Sequence, residues 1–325
     1  MGRHHRLGKV AVKIGNISLD EESVCREVNF LRQFSGHKNV ASFYGAYYQA
    51  PLSDTTSEKL EIVLEYCRGG SLYDLIKNTK GQSLKETWIG YVCREVLQAL
   101  SNIHRHRAVH RDIKSPNIML TKEGKVKLID FGLCWDLDPQ TGKCKESGGT
   151  AHWMAPEAIR WKGRKVEYDA KCDIWSLGIT AIEMAEGATP YADQKYASDL
   201  IINNNSPQLK SNTWSQNVVS FLELCLKKEP SERWSADELL QHPFITKLPP
   251  TRTIRAEITE HLWALHNWRP KKGLKGAAHR AMKQLKGATH RAMKHLQRVC
   301  DICAHETSPE QKVAQQMALG GFPCF

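Results

Sequence analysis

His110-Arg111-Asp112-Ile113-Lys114-Ser115-Pro116-Asn117 is followed, thirteen residues after Asn117, by Asp130-Phe131-Gly132. Between them, Ile118–Leu120 and Val126–Ile129 read as two short strands around a Lys122-Glu123-Gly124 turn, a hairpin that brings the two clusters together. Transfer of a phosphoryl group requires a carboxylate beside the attacking hydroxyl, a cation on the moving phosphate and hard oxygen ligands for magnesium. Asp112 can accept the hydroxyl proton, Lys114 can neutralise the phosphate, and Asn117 and Asp130 can hold the metal. Either tripeptide alone is common by chance; both in this order and at this spacing hardly ever are.

Upstream, Lys9-Val10-Ala11-Val12-Lys13-Ile14 alternates with period two and is rich in β-branched residues, which predicts a strand. Ser18-Leu19-Asp20-Glu21 has capping-box spacing, and Val24, Val28 and Leu31 share one face of the helix expected after it. Tyr44–Ala50 and Leu60–Tyr66 predict two further strands, separated by a polar loop through Pro51, Asp54 and Ser57. Downstream the pattern turns helical, with a long amphipathic helix over Leu84–His106, a buried one over Ile174–Ala185 and another over Ile254–Trp268. The class is α+β, with a small strand-built lobe over 1–66 and a larger helical lobe over 67–250 that closes at Pro249-Pro250. A helical basic tail follows over 251–325.

With 325 residues, 41% of them hydrophobic and 25% charged, the chain excludes the collagen-like and extensively disordered classes. No apolar run approaches the roughly 18 residues of a transmembrane helix, and the charged start lacks the apolar core of a secretory signal, so an intracellular, cytoplasmic location is expected. Ten cysteines scattered through apolar segments then predict buried free thiols, not a disulfide framework. The net charge of +11 belongs to the tail: ten basic residues and no acid lie between Arg269 and Arg298, leaving 36 basic against 35 acidic residues elsewhere. The basic balance therefore gives no ground for expecting specific nucleic-acid binding by the body.

Taken together, these motifs resemble a protein kinase catalytic domain, which implies a two-lobed fold and ATP and Mg²⁺ as cofactors. Lys13 sits in Val-Ala-Val-Lys, like the lysine that grips the α- and β-phosphates, and Glu27 stands where its carboxylate partner would be. By the same resemblance Leu64 is the gatekeeper, Glu65 and Cys67 offer hinge backbone to adenine, and Met119 contributes to the nucleotide site. Glu157 of Ala155-Pro156-Glu157 is expected to pair with Arg233, Asp173 to anchor the catalytic loop backbone, and Leu31, Phe43, His110 and Phe131 to form a spine between the lobes. Lys114 before Ser115-Pro116, and Thr150 in Gly149-Thr-Ala-His-Trp-Met-Ala-Pro-Glu157, are similar to the Ser/Thr form, where that hydroxyl touches the catalytic Asp and Lys. Trp88–Leu97 and Trp175–Gly187 are similar to germinal-centre kinases, in the branch of Nck-interacting and misshapen-like MAP kinase kinase kinase kinases. That kinship implies protein substrates bearing Ser or Thr, and MAP-kinase-type signalling.

The sequence departs from the pattern in four places. The Gly-x-Gly-x-x-Gly-x-Val loop expected before the lysine strand has no counterpart in the twelve residues ahead of Lys13, so two of five sheet strands are expected to be lost and nucleotide affinity lowered. The rival to an enzyme is thus a truncated pseudokinase or scaffold that binds partners without turnover. Glu146 stands roughly where relatives carry a phosphorylated Thr; an ordinary solvated loop acid is the simpler expectation, and a charge mimic for Arg111 the alternative. Trp234 replaces a Pro that commonly follows the Arg, and the tail repeats an eleven-residue unit, Lys275–Leu285 and Lys286–Leu296, with Ala, Met and Leu on one helical side and Lys and Arg on the other. Such a helix suits an anionic membrane or a calmodulin-like groove, although a solvated basic extension is the simpler expectation. Cys300 and Cys303 beside His295 and His305 have a weak zinc pattern and are expected to be free thiols.

Overall fold

A computed structural model describes residues 1–4, 6–16, 21–50, 58–159, 166–194 and 197–267. The loop through Pro51, Asp54 and Ser57, the capping residue Ser18, the basic repeat and the Cys300/Cys303 pair lie outside these residues. The first lobe is a four-stranded antiparallel sheet with β1 (Gly2–His4), β2 (Gly8–Asn16), β3 (Phe43–Gln49) and β4 (Lys59–Glu65) in the order β1-β2-β4-β3, and α1 (Glu21–Phe34). The expectation of two lost strands is corrected: Gly2↔Val10 to His4↔Gly8 pairing adds a fourth strand, and Gly8, at φ 75°, supplies the left-handed residue at the point where the chain reverses. On β4 the alternation of the sequence becomes a buried row, Leu60, Ile62 and Leu64, which joins Phe30, Leu31 and Phe34 of α1 in the core.

The second lobe opens with β5 (Gly70–Ser71) and α2 (Leu72–Asn78), whose start is fixed by a capping box between Ser71 and Asp74. The long α3 (Glu86–Arg105) leads into β6 (Ala108–Val109), the hairpin β7 (Ile118–Leu120) and β8 (Val126–Leu128), and β9 (Trp135–Asp136), which pairs back on β6. At the centre, α4 (Lys171–Glu186) is buried from Cys172 to Ala185, as a helix apolar on every side must be. Around it stand α5 (Ala197–Asn203), α6 (Gln216–Cys225), α7 (Ala236–Leu239), α8 (Pro243–Thr246) and α9 (Thr251–Asn267).

Close packing at α4 depends on Gly178, where an added Cβ would lie 2.8 Å from Leu226 Cδ2 and 2.9 Å from Cys225 Cβ. Gly178→Ala is therefore expected to cost about 1–3 kcal/mol in denaturant unfolding. Gly36→Ala, with nothing within 4 Å of the new carbon, should stay within about 0.5 kcal/mol.

The last described helix, α9, is part of this body. Ile254, Ile258 and Leu262 of α9 are buried, Trp88 Nε1 donates to Glu257 Oε2 at 3.0 Å, and Arg94 donates to Thr251 Oγ1 at 2.9 Å. All seven described cysteines are free, six of them buried, as the intracellular reading expects. No helix among the described residues is long and apolar enough to cross a membrane.

Candidate active site

Strand β2 aims Lys13 toward α1, where its ammonium lies 2.7 Å from Glu27 Oε1 and 2.7 Å from Asp130 Oδ1. One cation is shared by carboxylates from two lobes. Burial pulls the Lys13 pKa down, but hydrogen bonds to Asp130 and Glu27 outweigh it, and the net direction is upward. Glu27, deeper than Asp130, is pushed up by burial in spite of Lys13; burial also acts upward on Asp130, but there Lys13 wins and the carboxyl is held low. At neutral pH Asp130 is thus ionised and Lys13 charged, the states a metal and a phosphate need.

The catalytic loop is set by a single buried carboxylate on α4. Asp173, fully buried, accepts the backbone N–H of His110 at 2.9 Å and of Arg111 at 2.8 Å, and its Oδ2 lies 2.8 Å from His104 Nε2. His110 Nδ1 accepts the Asp112 N–H at 3.3 Å while Nε2 faces the Ile129 carbonyl at 3.2 Å, an arrangement that fits neutral imidazole with the proton on Nε2. Burial lowers the His110 pKa and favours that neutral form. Arg111 and Asp130 both adopt left-handed backbone, at φ 69° and 66°, a conformation costing non-glycine residues of order 1–2 kcal/mol and concentrated at functional sites. A second tether is Ser115, whose hydroxyl donates to Glu183 Oε1 of α4 at 2.7 Å.

On that loop Asp112 collects three donors. Asn117 Nδ2 donates to Asp112 Oδ2 at 2.8 Å and to its carbonyl at 2.9 Å; Lys114 Nζ lies 2.7 Å from Oδ2; and Thr150 Oγ1 donates to Oδ1 at 2.6 Å while accepting from Lys114 at 2.7 Å. Because both protons of the Asn117 amide point at Asp112, its oxygen is left as an acceptor. That oxygen and the second oxygen of Asp130 are both hard donors, of the type magnesium takes.

The nucleotide-side residues are distributed over the two lobes. Leu64 and Cys67 are buried, and Met119 is half-buried on β7, in register with Ser71 and Lys127. The Glu65 carboxylate turns away to structural work: it accepts from Ser42 N–H at 3.2 Å and pairs with Lys127 at 2.9 Å, so only its backbone could serve adenine. Burial pushes the Cys67 thiol up to about 12. Alkylation of the folded protein by iodoacetamide at pH 8, followed by mass spectrometry, should leave Cys67 unmodified, with a thiolate fraction about 10³ below an exposed cysteine, and unfolding should release it.

Between the lobes, His110 lies 5.1 Å from the Phe131 ring and Phe131 stacks at 5.9 Å on Phe34, with Leu31 buried and Phe43 half-buried in the same core. Glu157 and buried Arg233 meet in a bidentate pair at 2.6 and 3.2 Å. Glu146 is the solvated loop acid of the simpler expectation, not a charge mimic. Its side chain is exposed, its carbonyl accepts the Tyr168 hydroxyl, and Arg111 has no ion pair among the described residues. Trp234, the other departure, lies half-buried against the core, 6.1 Å from His242.

A family model described as "Protein kinase domain" matches residues 3–245. The chain belongs to the protein kinase domain family. It is 43% identical over 268 residues to misshapen-like kinase 1 of Rattus norvegicus, 44% identical over 268 residues to serine/threonine-protein kinase mig-15 of Caenorhabditis elegans, and 40% identical over 278 residues to Nik-related protein kinase of Homo sapiens. These matches cover 80%, 80% and 84% of this chain but only 20%, 24% and 18% of the relatives, so the chain spans about a fifth of their length. Within the kinase family it is thus similar to kinases of the misshapen and Nik-related type.

Sequence reasoning missed His104, Glu183 and Lys127 as parts of this site. His104 and Glu183 lie on helices distant in sequence from the loop they hold, and no short motif joins such positions.

Proposed function

We propose that the chain transfers the γ-phosphate of Mg-ATP to Ser or Thr hydroxyls of proteins, in cytoplasmic MAP-kinase-type signalling. The observation that carries this reading is the hydroxyl already seated between Asp112 and Lys114. Thr150 donates to Asp112 Oδ1 at 2.6 Å and accepts from Lys114 at 2.7 Å, so the pair is built to hold an alcohol oxygen between an acceptor and a cation. A substrate hydroxyl on the same acceptor would give its proton to Asp112 while Lys114 offsets charge on the phosphoryl oxygens. Lys13, oriented by Glu27, would hold the α- and β-phosphates; Asn117 and Asp130 would hold magnesium, which when bound supplies charge neutralisation of the phosphates. Backbone of Glu65 and Cys67, with the Met119 side chain, would hold adenine.

The direct test is transfer of label from γ-labelled ATP with magnesium to a Ser/Thr-rich protein, followed by phosphoamino-acid analysis. Phosphoserine and phosphothreonine are expected; no label above the Asp112→Asn background would overturn the reading. For Lys13→Met, nucleotide binding read by thermal shift should weaken by at least about tenfold, because the phosphates lose their ammonium and Glu27 is left buried without its cation.

A further inference from the structure

The half of α1 that carries Glu27 is less deeply packed than the rest, with Val24 and Val28 half-buried against the core. Phe30, Leu31 and Phe34 in its second half are buried, whereas Ser23, Val24, Cys25 and Arg26 are only half-buried and Glu22 is exposed. The Arg26–Glu22 contact of 3.2 Å joins an exposed carboxylate on the same helix, and such surface pairs contribute little. From the other lobe, Gly132 lies beside Glu27, and Arg26 meets both the Trp135 ring and the charge of Asp136. The Arg26 guanidinium carbon lies 3.9 Å from the centroid of the Trp135 ring, and that of Arg111 lies 5.6 Å from the same ring.

Arg111 is the neighbour of the catalytic Asp112, is largely buried, and its Nε has no hydrogen-bond partner. An aromatic face is the one feature in contact with it that attracts a cation without carrying a charge. Trp135 is itself set by pairing: it stands opposite Val109 in the β6–β9 ladder, immediately before the catalytic loop. The indole is therefore a rigid plate that meets a cation from each lobe. The arginine it meets on α1 directly precedes the residue that pairs with Lys13.

We propose that Trp135 is a positioning residue for the phosphotransfer site, its ring binding Arg26 and Arg111 and thereby holding Glu27 against Lys13. This rests on the kinase reading for its purpose but not for its contacts. In this chain a neutral ring links α1 to the catalytic loop, with the adjacent Asp136 adding charge attraction to Arg26, so closing it requires no added phosphate. An indole face also tolerates salt better than a surface ion pair, because the interaction is short-range and partly desolvated.

Hydrogen exchange of α1 amides in the full chain tests this without requiring turnover. Trp135→Ala is expected to raise exchange over Glu22–Val28 roughly fivefold, while amides of α4 exchange as before. Trp135→Phe keeps a π face and should recover most of the protection; Trp135→Leu, which fills similar space without one, should not. Arg26→Ala should match Trp135→Ala, and the double variant should be no faster than either single one. Equal rescue by Leu and Phe, multiplicative single effects, or unchanged α1 exchange in Trp135→Ala would each overturn the proposal. Where the unmodified chain exchanges as expected but transfers no phosphate, the latch stands and the kinase reading fails. Where transfer occurs, Trp135→Ala should raise the KM for ATP and lower kcat, with Phe restoring both.

Discussion

Asp112→Asn removes phosphotransfer, with kcat expected to fall by about 10³-fold in a steady-state assay while ATP binding and melting temperature stay close to those of the unmodified chain. The size follows from what Asp112 does at the site. Its two carboxylate oxygens accept Thr150 at 2.6 Å, Asn117 at 2.8 Å and Lys114 at 2.7 Å. An amide of the same shape keeps one acceptor and places two protons where the other was, so it repels Asn117 or Lys114 and cannot take a proton from an alcohol. Because the change is isosteric and the backbone bonds of the loop run through Asp173, stability is little affected. A variant that retains even a tenth of the rate would mean that proton acceptance lies elsewhere.

The second large effect is structural. Asp173→Ala is expected to lower stability by about 4 kcal/mol, or roughly 10 °C in melting temperature for a chain of this size, and to abolish activity with it. Two buried backbone N–H groups, those of His110 and Arg111, would lose their acceptor, and His104 would lose its partner at 2.8 Å. The pH dependence has a definite sign. Burial pushes the Asp173 carboxyl up, but the His104 hydrogen bond and the backbone donors outweigh it, and the folded value lies below the ordinary 3.8. A depressed carboxylate contributes stability that is complete above the unfolded value and disappears as pH falls through the folded one. Chemical denaturation from pH 6 down to pH 3 should therefore show this contribution fading below about pH 4 in the unmodified chain and no such component in Asp173→Asn.

Much of this architecture can be read from residue order, and the parts that cannot share a physical reason. The strands β2, β3 and β4 lie close to the three stretches the sequence predicts, with period-two burial clear on β4; α3 and α4 follow their apolar patterns, and the hairpin between Asn117 and Asp130 follows its turn residues. Glu157 meeting Arg233, and Thr150 meeting Asp112 and Lys114, are contacts that the kinase resemblance implies and the structure contains. The β1 strand falls where the kinase resemblance puts the end of the second strand, yet on sequence alone it counts among the lost strands because three residues carry too little alternation to be distinguished from a loop. Ser115 with Glu183, and Arg26 with Trp135, escaped because each joins residues far apart in sequence through one atom or one ring, and neither type of contact leaves a periodic trace. For Glu146 the simpler expectation of a solvated loop acid holds. Position in sequence brings a charge near Arg111, but the Tyr168 hydroxyl takes its carbonyl and the carboxylate turns outward.

The helix that begins at Thr251 starts beyond residue 245, where the family match stops, yet it seals the flank of α3 with three buried aliphatic residues and the indole of Trp88. A protease that cuts at Pro249-Pro250 would therefore not trim a dispensable appendage. It would uncover a greasy stripe and the turn at Gly124, where Arg255 crosses within 3.0 Å of an added Cβ. Fragments prepared for crystallisation or inhibitor screening should end no earlier than Leu265, or they will clump on warming before any ligand can rescue them.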